Sequence, residues 1–329
     1  MQGLDMEFIN GEISSQGGTT VESQHREIAH GWVDVSGTRT HFLLQGDGPP
    51  IVLLHGQGEN AETWRWALPM LARTNCVVAP DFPGAGESAK LTTYAAPPSF
   101  YTDFLLAFLD KLGLDRVTIV GSSYGGLIAM RVALAAPNRV NALCLVDSSG
   151  LGRMTNPALT ALTIPGVGEA MAAWWSTPPG AVHYACMFGL LSFAHPLQAP
   201  PAWYANMARL AQTPGHLHGA VLACLRGELD LVGQRDVVLD DVPRLMMPTL
   251  IVWGAYDAVV PSYHASAAME RLVNGRLVTI PDCGHLPHVE RPDLFFAAVG
   301  DFLNEHVATN DIACCTSSSL LTLAAQPPG

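Results

Sequence analysis

The stretch Val117-Thr118-Ile119-Val120-Gly121-Ser122-Ser123-Tyr124-Gly125-Gly126-Leu127 decides how this chain is read. Its first four residues form a short, continuous apolar run, the pattern of a strand buried on both faces of a parallel sheet. A helical pattern begins at Leu127 and runs to Ala136, where Pro137 stops it. Between them, Ser123 has a glycine two positions away on either side. If the backbone turns sharply from strand to helix with a serine at the apex, Cβ atoms at positions 121 and 125 would clash, so glycine is required there. Such a turn lifts the Ser123 hydroxyl clear of the sheet and points the helix N-terminus at it. Ser122 is the rival nucleophile, but the small-x-Ser-x-small frame centres on Ser123. A glycine-rich turn without chemistry, or a phosphate cradle, looks the same locally.

Working outward, apolar runs at 51–54, 76–79 and 142–146 read as further buried strands. Phe104, Leu105, Phe108, Leu109 and Leu112 form one helical stripe. This alternation implies an α/β fold, a mostly parallel central sheet with helices on both faces. Two alternating runs, 28–35 and 40–44, read as a hairpin joined through Ser36-Gly37. From Ser149 to Val238 the rhythm stops. Aromatic residues (Trp174-Trp175, Tyr184, Trp203-Tyr204) recur there among Met and Pro, as in a helical insertion. The sheet pattern resumes at 249–253 and 276–280, and an amphipathic helix follows over 292–302. The expected organisation is a flexible leader (1–24), a core (25–148 and 239–308), a helical cap (149–238) and a flexible tail (309–329).

Composition narrows the function. Charged residues are 14% of 329, against about 25% in ordinary globular chains, while hydrophobic residues are 49%. That excludes disorder for most of the chain and leaves apolar surface for a greasy ligand or a homo-oligomer contact. Net charge is −12 and no Lys/Arg block occurs, so neither a nucleic-acid surface nor a polybasic membrane anchor is expected. No apolar run reaches the length of a membrane span, and the N-terminus lacks the pattern of a secretory signal. Seven cysteines without ligand spacing read as reduced thiols, which points to the cytoplasm.

Two further motifs lie after neighbouring strands. In His55-Gly56-Gln57-Gly58, the backbone N–H of Gln57 can pair with that of Tyr124 to hold an oxyanion, while the His55 side chain shapes the loop. In Asp81-Phe82-Pro83-Gly84-Ala85-Gly86-Glu87-Ser88, the aspartate reads as structural. In order and strand position these pieces resemble the α/β-hydrolase fold family, from about residue 28 to residue 307. The resemblance implies an acid after a late strand and a histidine after the last one. Asp257, in Trp253-Gly254-Ala255-Tyr256-Asp257, and His285, in Asp282-Cys283-Gly284-His285, occupy those contexts. Asp147, ending its own strand, is the alternative acid. His288 also lies near His285 and is expected in a wall or on the surface.

The resemblance also sorts the chemistry. Members that open epoxides or displace halide carry a carboxylate at the elbow, where this chain has Ser123. Hydrolases of ring meta-cleavage products resemble it in size and cap placement but typically carry Trp after the histidine, where this chain has Leu286. Iminopeptidases usually have Trp after the nucleophile, here Tyr124, with acids in the cap, for which Glu228 and Asp230 are the candidates; perhydrolases reuse the same triad. The expected function is a serine hydrolase of the esterase or lipase type, cleaving hydrophobic small-molecule carboxylic esters through an acyl-enzyme, with no cofactor. C–C bond hydrolysis and non-catalytic ligand binding are the alternatives. No metal site is expected, because His216-x-His218 lacks a third ligand nearby.

Overall fold

The computed structural model describes residues 27–307 and 314–324, so the leader expected over 1–24 lies outside the described residues. Strands β1 (Ala29–Val35) and β2 (Thr38–Gln45) form the antiparallel hairpin. Ser36 and Gly37 between them have φ of 52° and 83°, the left-handed pair whose twist suits a two-residue hairpin turn. Six more strands complete the sheet: β3 (Pro50–Leu54), β4 (Cys76–Pro80), β5 (Val117–Ser122), β6 (Val140–Val146), β7 (Thr249–Gly254) and β8 (Gly275–Ile280). Their order is β1-β2-β4-β3-β5-β6-β7-β8. β2 meets β4 antiparallel, and every later pairing is parallel.

Alternate residues of the central strands feed two apolar layers, as a period of two requires. Val52, Leu54, Ile119 and Leu145 pack against helices α1 (Pro98–Lys111) and α2 (Tyr124–Ala135). Ile51, Leu53, Val120 and Val146 pack on the other face with Trp64, Phe295 and Phe302. The α1 stripe predicted from Phe104 to Leu112 is buried throughout, each large apolar side chain contributing about 1.5–3 kcal/mol by leaving water.

Between β6 and β7 the chain builds helices α3 (Val167–Trp175), α4 (Pro178–Ser192), α5 (Pro201–Gln212) and α6 (Cys224–Glu228), with a π-helical segment Leu217–Ala223 before α6. Thr177 starts α4 by accepting the Gly180 N–H, and prolines occupy the first turn, where no intrahelical N–H bond is needed. Trp175, Tyr184, Phe193 and Trp203 form a third apolar cluster that includes Leu286 and Val289 from the core. The cap is therefore packed onto the sheet domain. It also holds a two-strand ribbon, Leu229–Asp230 with Gly233–Gln234, which the sequence reading had not anticipated. After β7 and β8 come α7 (Tyr263–Met269) and α8 (Pro292–His306).

The tail departs from expectation. Cys315–Thr316 pairs with Asp47–Gly48, and α9 (Ser317–Ala324) follows, with Leu320 buried in the first apolar layer. The serine run that suggests a loop is instead a helix start, for Thr316 Oγ1 accepts the Ser319 N–H at 3.2 Å. Among the described residues no helix is long and apolar enough to cross a membrane.

Candidate active site

Ser123 sits at φ 52°, ψ −118°, between β5 and α2. Few non-glycine residues tolerate this conformation, and it costs on the order of 1–3 kcal/mol. The glycine frame is explained by distances: a Cβ at Gly121 would lie 2.4 Å from the Gly125 carbonyl oxygen, and one at Gly125 would lie 2.3 Å from that of Leu54. The turn is held by the Ser123 N–H on Val146 O (2.9 Å) and by the Ser149 N–H on Ser123 O (3.0 Å). Ser122 is fully buried and its hydroxyl finds no partner among the described residues, so Ser123 alone of the pair reaches the cavity. Tyr124 is the first residue of α2, so its N–H has no intrahelical acceptor.

Asp257 follows β7. Its Oδ1 accepts the N–H groups of Val259 (2.7 Å) and Val260 (3.0 Å), and its Oδ2 lies 2.8 Å from His285 Nδ1. The carboxylate can only accept, so Nδ1 carries the proton and Nε2 is the basic nitrogen. The His285 N–H bonds Ser192 O at 2.7 Å, tying the histidine loop to the end of α4. Glu290 reinforces that junction by accepting from Gly284, Ala194 and His195 N–H groups. Asp147 lies behind Asp257 and is fully buried.

The loop carrying Gln57 is gripped by the cap. Gly58 N–H donates to Ala220 O (3.2 Å), and Gly58 O is met by Tyr184 Oη (3.4 Å) and His216 Nε2 (3.2 Å). The Gln57 side-chain amide donates to Glu228 on α6. Burial pushes the Glu228 carboxyl up to about 7, with Ser149 and His285 opposing. Glu59 is likewise raised by burial, partly offset by the Thr63 hydroxyl at 2.8 Å. His55 has the structural role expected of it: its Nδ1 faces Gly56 O (2.8 Å), and its Nε2 accepts the Phe82 N–H (3.0 Å). Asp81 also braces loops, accepting from Ala61 and Glu87 N–H groups and from His41.

His288 is neither a cavity wall nor a surface residue. It is fully buried, its ring stacked on Trp64 at 4.1 Å, and burial lowers its pKa to about 3. Asp230 is partly exposed and pairs with Arg153, away from the cavity. Glu59 was missed in the sequence. The signal was its position, a charged residue two places beyond Gln57 in an otherwise neutral loop.

Ser123 and His285 share one cavity with Gly56, Gln57 and Glu59. The rest of its wall is mainly apolar, from Leu159, Phe188, Leu191, Val221 and Leu225 of the cap and Leu286 of the histidine loop. The centre of a water-sized sphere has about 40 Å³ in which to move there, so the site is narrow. Asp147, Asp257 and His285 offer ligand atoms within 4.8 Å of one another, which would suit a metal ion. However, His285 Nδ1 and Asp257 Oδ2 already engage each other, and an ion would have to displace that bond. His216 is buried against Gly58 O while His218 is exposed, so the two do not converge.

Comparison with known proteins agrees with the architecture. An uncharacterized protein of Mycobacterium tuberculosis is 32% identical over 280 residues, covering 82% of this chain and 80% of its own. The 2-hydroxy-6-oxo-6-phenylhexa-2,4-dienoate hydrolase of Burkholderia cepacia is 27% identical over 277 residues, 82% of this chain and 92% of that one. Among solved structures, a serine hydrolase involved in carbazole degradation superposes with a TM-score of 0.70 at 26% identity, covering 84% of this chain and 99% of that one. The alpha/beta hydrolase fold profile matches residues 49–292, and the chain belongs to that family.

Proposed function

We propose that this chain is a serine hydrolase that cleaves carboxylic esters of uncharged, hydrophobic small molecules through an acyl-enzyme. The observation that carries the reading is the cavity shared by Ser123 and His285: its lining is mainly apolar and includes no Lys or Arg. Serine is a poor nucleophile near neutrality, so His285 Nε2 takes its proton as Oγ attacks the ester carbonyl. Asp257 holds the ring in the required tautomer and stabilises the imidazolium. The N–H groups of Gln57 and Tyr124 receive the tetrahedral oxyanion. His285 then protonates the leaving alcohol and activates water for deacylation.

The similar dienoate hydrolase favours a second reading, C–C bond hydrolysis. A dienoate carries a carboxylate, and here it would meet Glu59 and no cation on the wall. This feature ranks ester cleavage first. p-Nitrophenyl butyrate turnover by wild type, abolished in Ser123→Ala, supports the proposal. A hemisuccinate ester should be cut at least tenfold more slowly than the butyrate, since an unpaired charge resists burial. A vinylogous 1,5-diketone cleaved faster than the ester would install the second reading. No turnover of either would leave a ligand-binding member of the fold.

A further inference from the structure

Two of the seven cysteines meet at the seam where the tail joins the sheet. Cys315 pairs with Gly48, and Thr316 with Asp47, in the short antiparallel bridge. Cys76 opens β4, pairs with Pro50 and donates its N–H to Pro49 O at 3.1 Å. A Cβ at Gly48 would lie 2.5 Å from Thr74 O and 3.4 Å from the Asn75 Cα. The residue opposite Cys315 thus runs directly against the two residues that lead into Cys76. Two further contacts hold this register. Asp47 Oδ1 accepts the Ser317 N–H at 2.9 Å, and Leu320 is buried in the first apolar layer. Cys76 belongs to that layer and Cys315 packs against it. The two side chains hydrogen-bond sulfur to sulfur, and both are free thiols, Cys76 without exposed surface and Cys315 half-buried. That bond is the first cause, and burial the second, holding the Cys76 thiol well above its ordinary range. Cys76 is therefore the donor that keeps its proton, and Cys315 is the acceptor and the sulfur that reaches solvent. A solvent-accessible attacking sulfur beside a buried resolving thiol is the arrangement that thiol–disulfide exchange needs.

We propose that Cys315 and Cys76 form a thiol-modification site that reacts with a low-molecular-weight disulfide and closes into a Cys76–Cys315 bridge, fastening the tail to the sheet. The Cys315 thiolate attacks one sulfur of oxidised glutathione. A mixed disulfide forms, and the expelled glutathione thiolate takes up the proton that Cys315 lost. Cys76 then attacks the Cys315 sulfur, the bond to glutathione breaks, and the second glutathione leaves with the Cys76 proton. Two protein thiols are oxidised and one disulfide is reduced to two thiols, so the exchange balances. The first step removes the Cys315 acceptor that held the Cys76 proton, but burial remains. The second step is therefore the slow one, and the mixed disulfide accumulates before the bridge.

The test uses the full chain with the exposed Cys186 and Cys314 replaced by serine, so that neither competes for the reagent. Oxidised glutathione is added, and intact mass is followed over hours in this parent, with C76A and with C315S. The parent should first gain one glutathionyl group and then fall to two hydrogens below its starting mass. A non-reduced peptide map should join the Cys76 and Cys315 peptides. C76A, whose alanine suits a buried apolar position, should stop at the mixed disulfide, and C315S should acquire neither adduct nor bridge. Chymotryptic cleavage after Leu320 or Leu321 should slow at least about tenfold in the bridged parent and recover with dithiothreitol. The parent's own map decides the pairing even if a variant fails to fold. A glutathione adduct on Cys315 that persists in the parent would overturn the proposal, as would a bridge between other cysteines or no reaction at either thiol. A bridged tail cut as fast as the reduced one would overturn the fastening.

Discussion

Replacing Glu228 by glutamine tests whether a buried acid sits against the loop that carries Gln57. The side chain is 1% exposed and accepts from the Gln57 amide. Its pKa rises by burial from an ordinary 4.5 to about 7. The folded chain therefore keeps a proton that the unfolded chain has already lost between those pH values, and stability falls as pH rises through that window. At about 1.4 kcal/mol per pH unit, the full loss is about 3 kcal/mol, present in wild type and absent in Glu228→Gln. Glutamine retains an oxygen for the Gln57 amide, so the hydrogen bond is conserved and the titration alone is removed. Urea unfolding followed by tryptophan fluorescence at pH 3.5 to 8.5 measures the difference between the two proteins. The difference should be constant near pH 4, then shift by about 3 kcal/mol in favour of the variant by pH 8. A difference independent of pH would refute the reasoning, because it would mean that Glu228 ionises alike in both states.

His288 makes the opposite case. Its pKa is lowered from 6.5 to about 3, so stability drains as pH falls through that range, by up to about 5 kcal/mol. His288→Phe, which can stack on Trp64, should move the acid-unfolding midpoint seen by circular dichroism to lower pH; an unchanged midpoint would count against it. Gly125→Ala should destabilise by at least about 2 kcal/mol in the same unfolding assay, since its Cβ would meet the Leu54 carbonyl at 2.3 Å; a neutral result would disprove the tight elbow. Leu225→Trp should cut kcat/KM for butyryl esters about tenfold and for acetyl esters much less, because Leu225 lines the narrow cavity. Equal losses would place the acyl chain elsewhere. Leu320→Ala should cost about 2–3 kcal/mol, whereas a tail free in solvent would give nearly nothing.

What the sequence made legible was local. The strand-glycine-serine-glycine-helix stretch, the buried runs and the hairpin turn each follow from neighbours a few residues apart, and the structure reproduces them. The acid and histidine loops were read through the family's strand order, and the structure joins Asp257 to His285 at 2.8 Å. What escaped was set by distant contacts. Gln57 and Glu228 are 171 positions apart, and no periodicity links them. The sequence puts His288 in a wall or on the surface. Only the folding of Trp64 and Phe295 around it makes it a core residue. Asp147 reads as the alternative acid, and the structure sets it within 4.8 Å of Asp257 and His285, a proximity no local pattern announces. The tail reads as flexible because serines at a helix start and serines in a loop are the same letters until Thr316 is seen capping them.

The cap contacts also constrain how the cavity can be reached. A cap that lifted as one body would break the Gly58 bonds to Ala220, Tyr184 and His216 and the Gln57 bond to Glu228. At about 1 kcal/mol net each, these four cost about 4 kcal/mol, on the order of a thousandfold against the open state before any apolar packing is counted. The same motion would pull Gln57, an oxyanion donor in the proposed reaction, out of place. Rigid-body opening therefore works against catalysis, and substrate access is better served by side-chain movements along α4, whose Phe188 and Leu191 line the cavity while Val182, Met187 and Leu190 face outward. Cap substitutions should then alter kcat and KM together, because the surface that selects the substrate also holds the loop that stabilises its transition state.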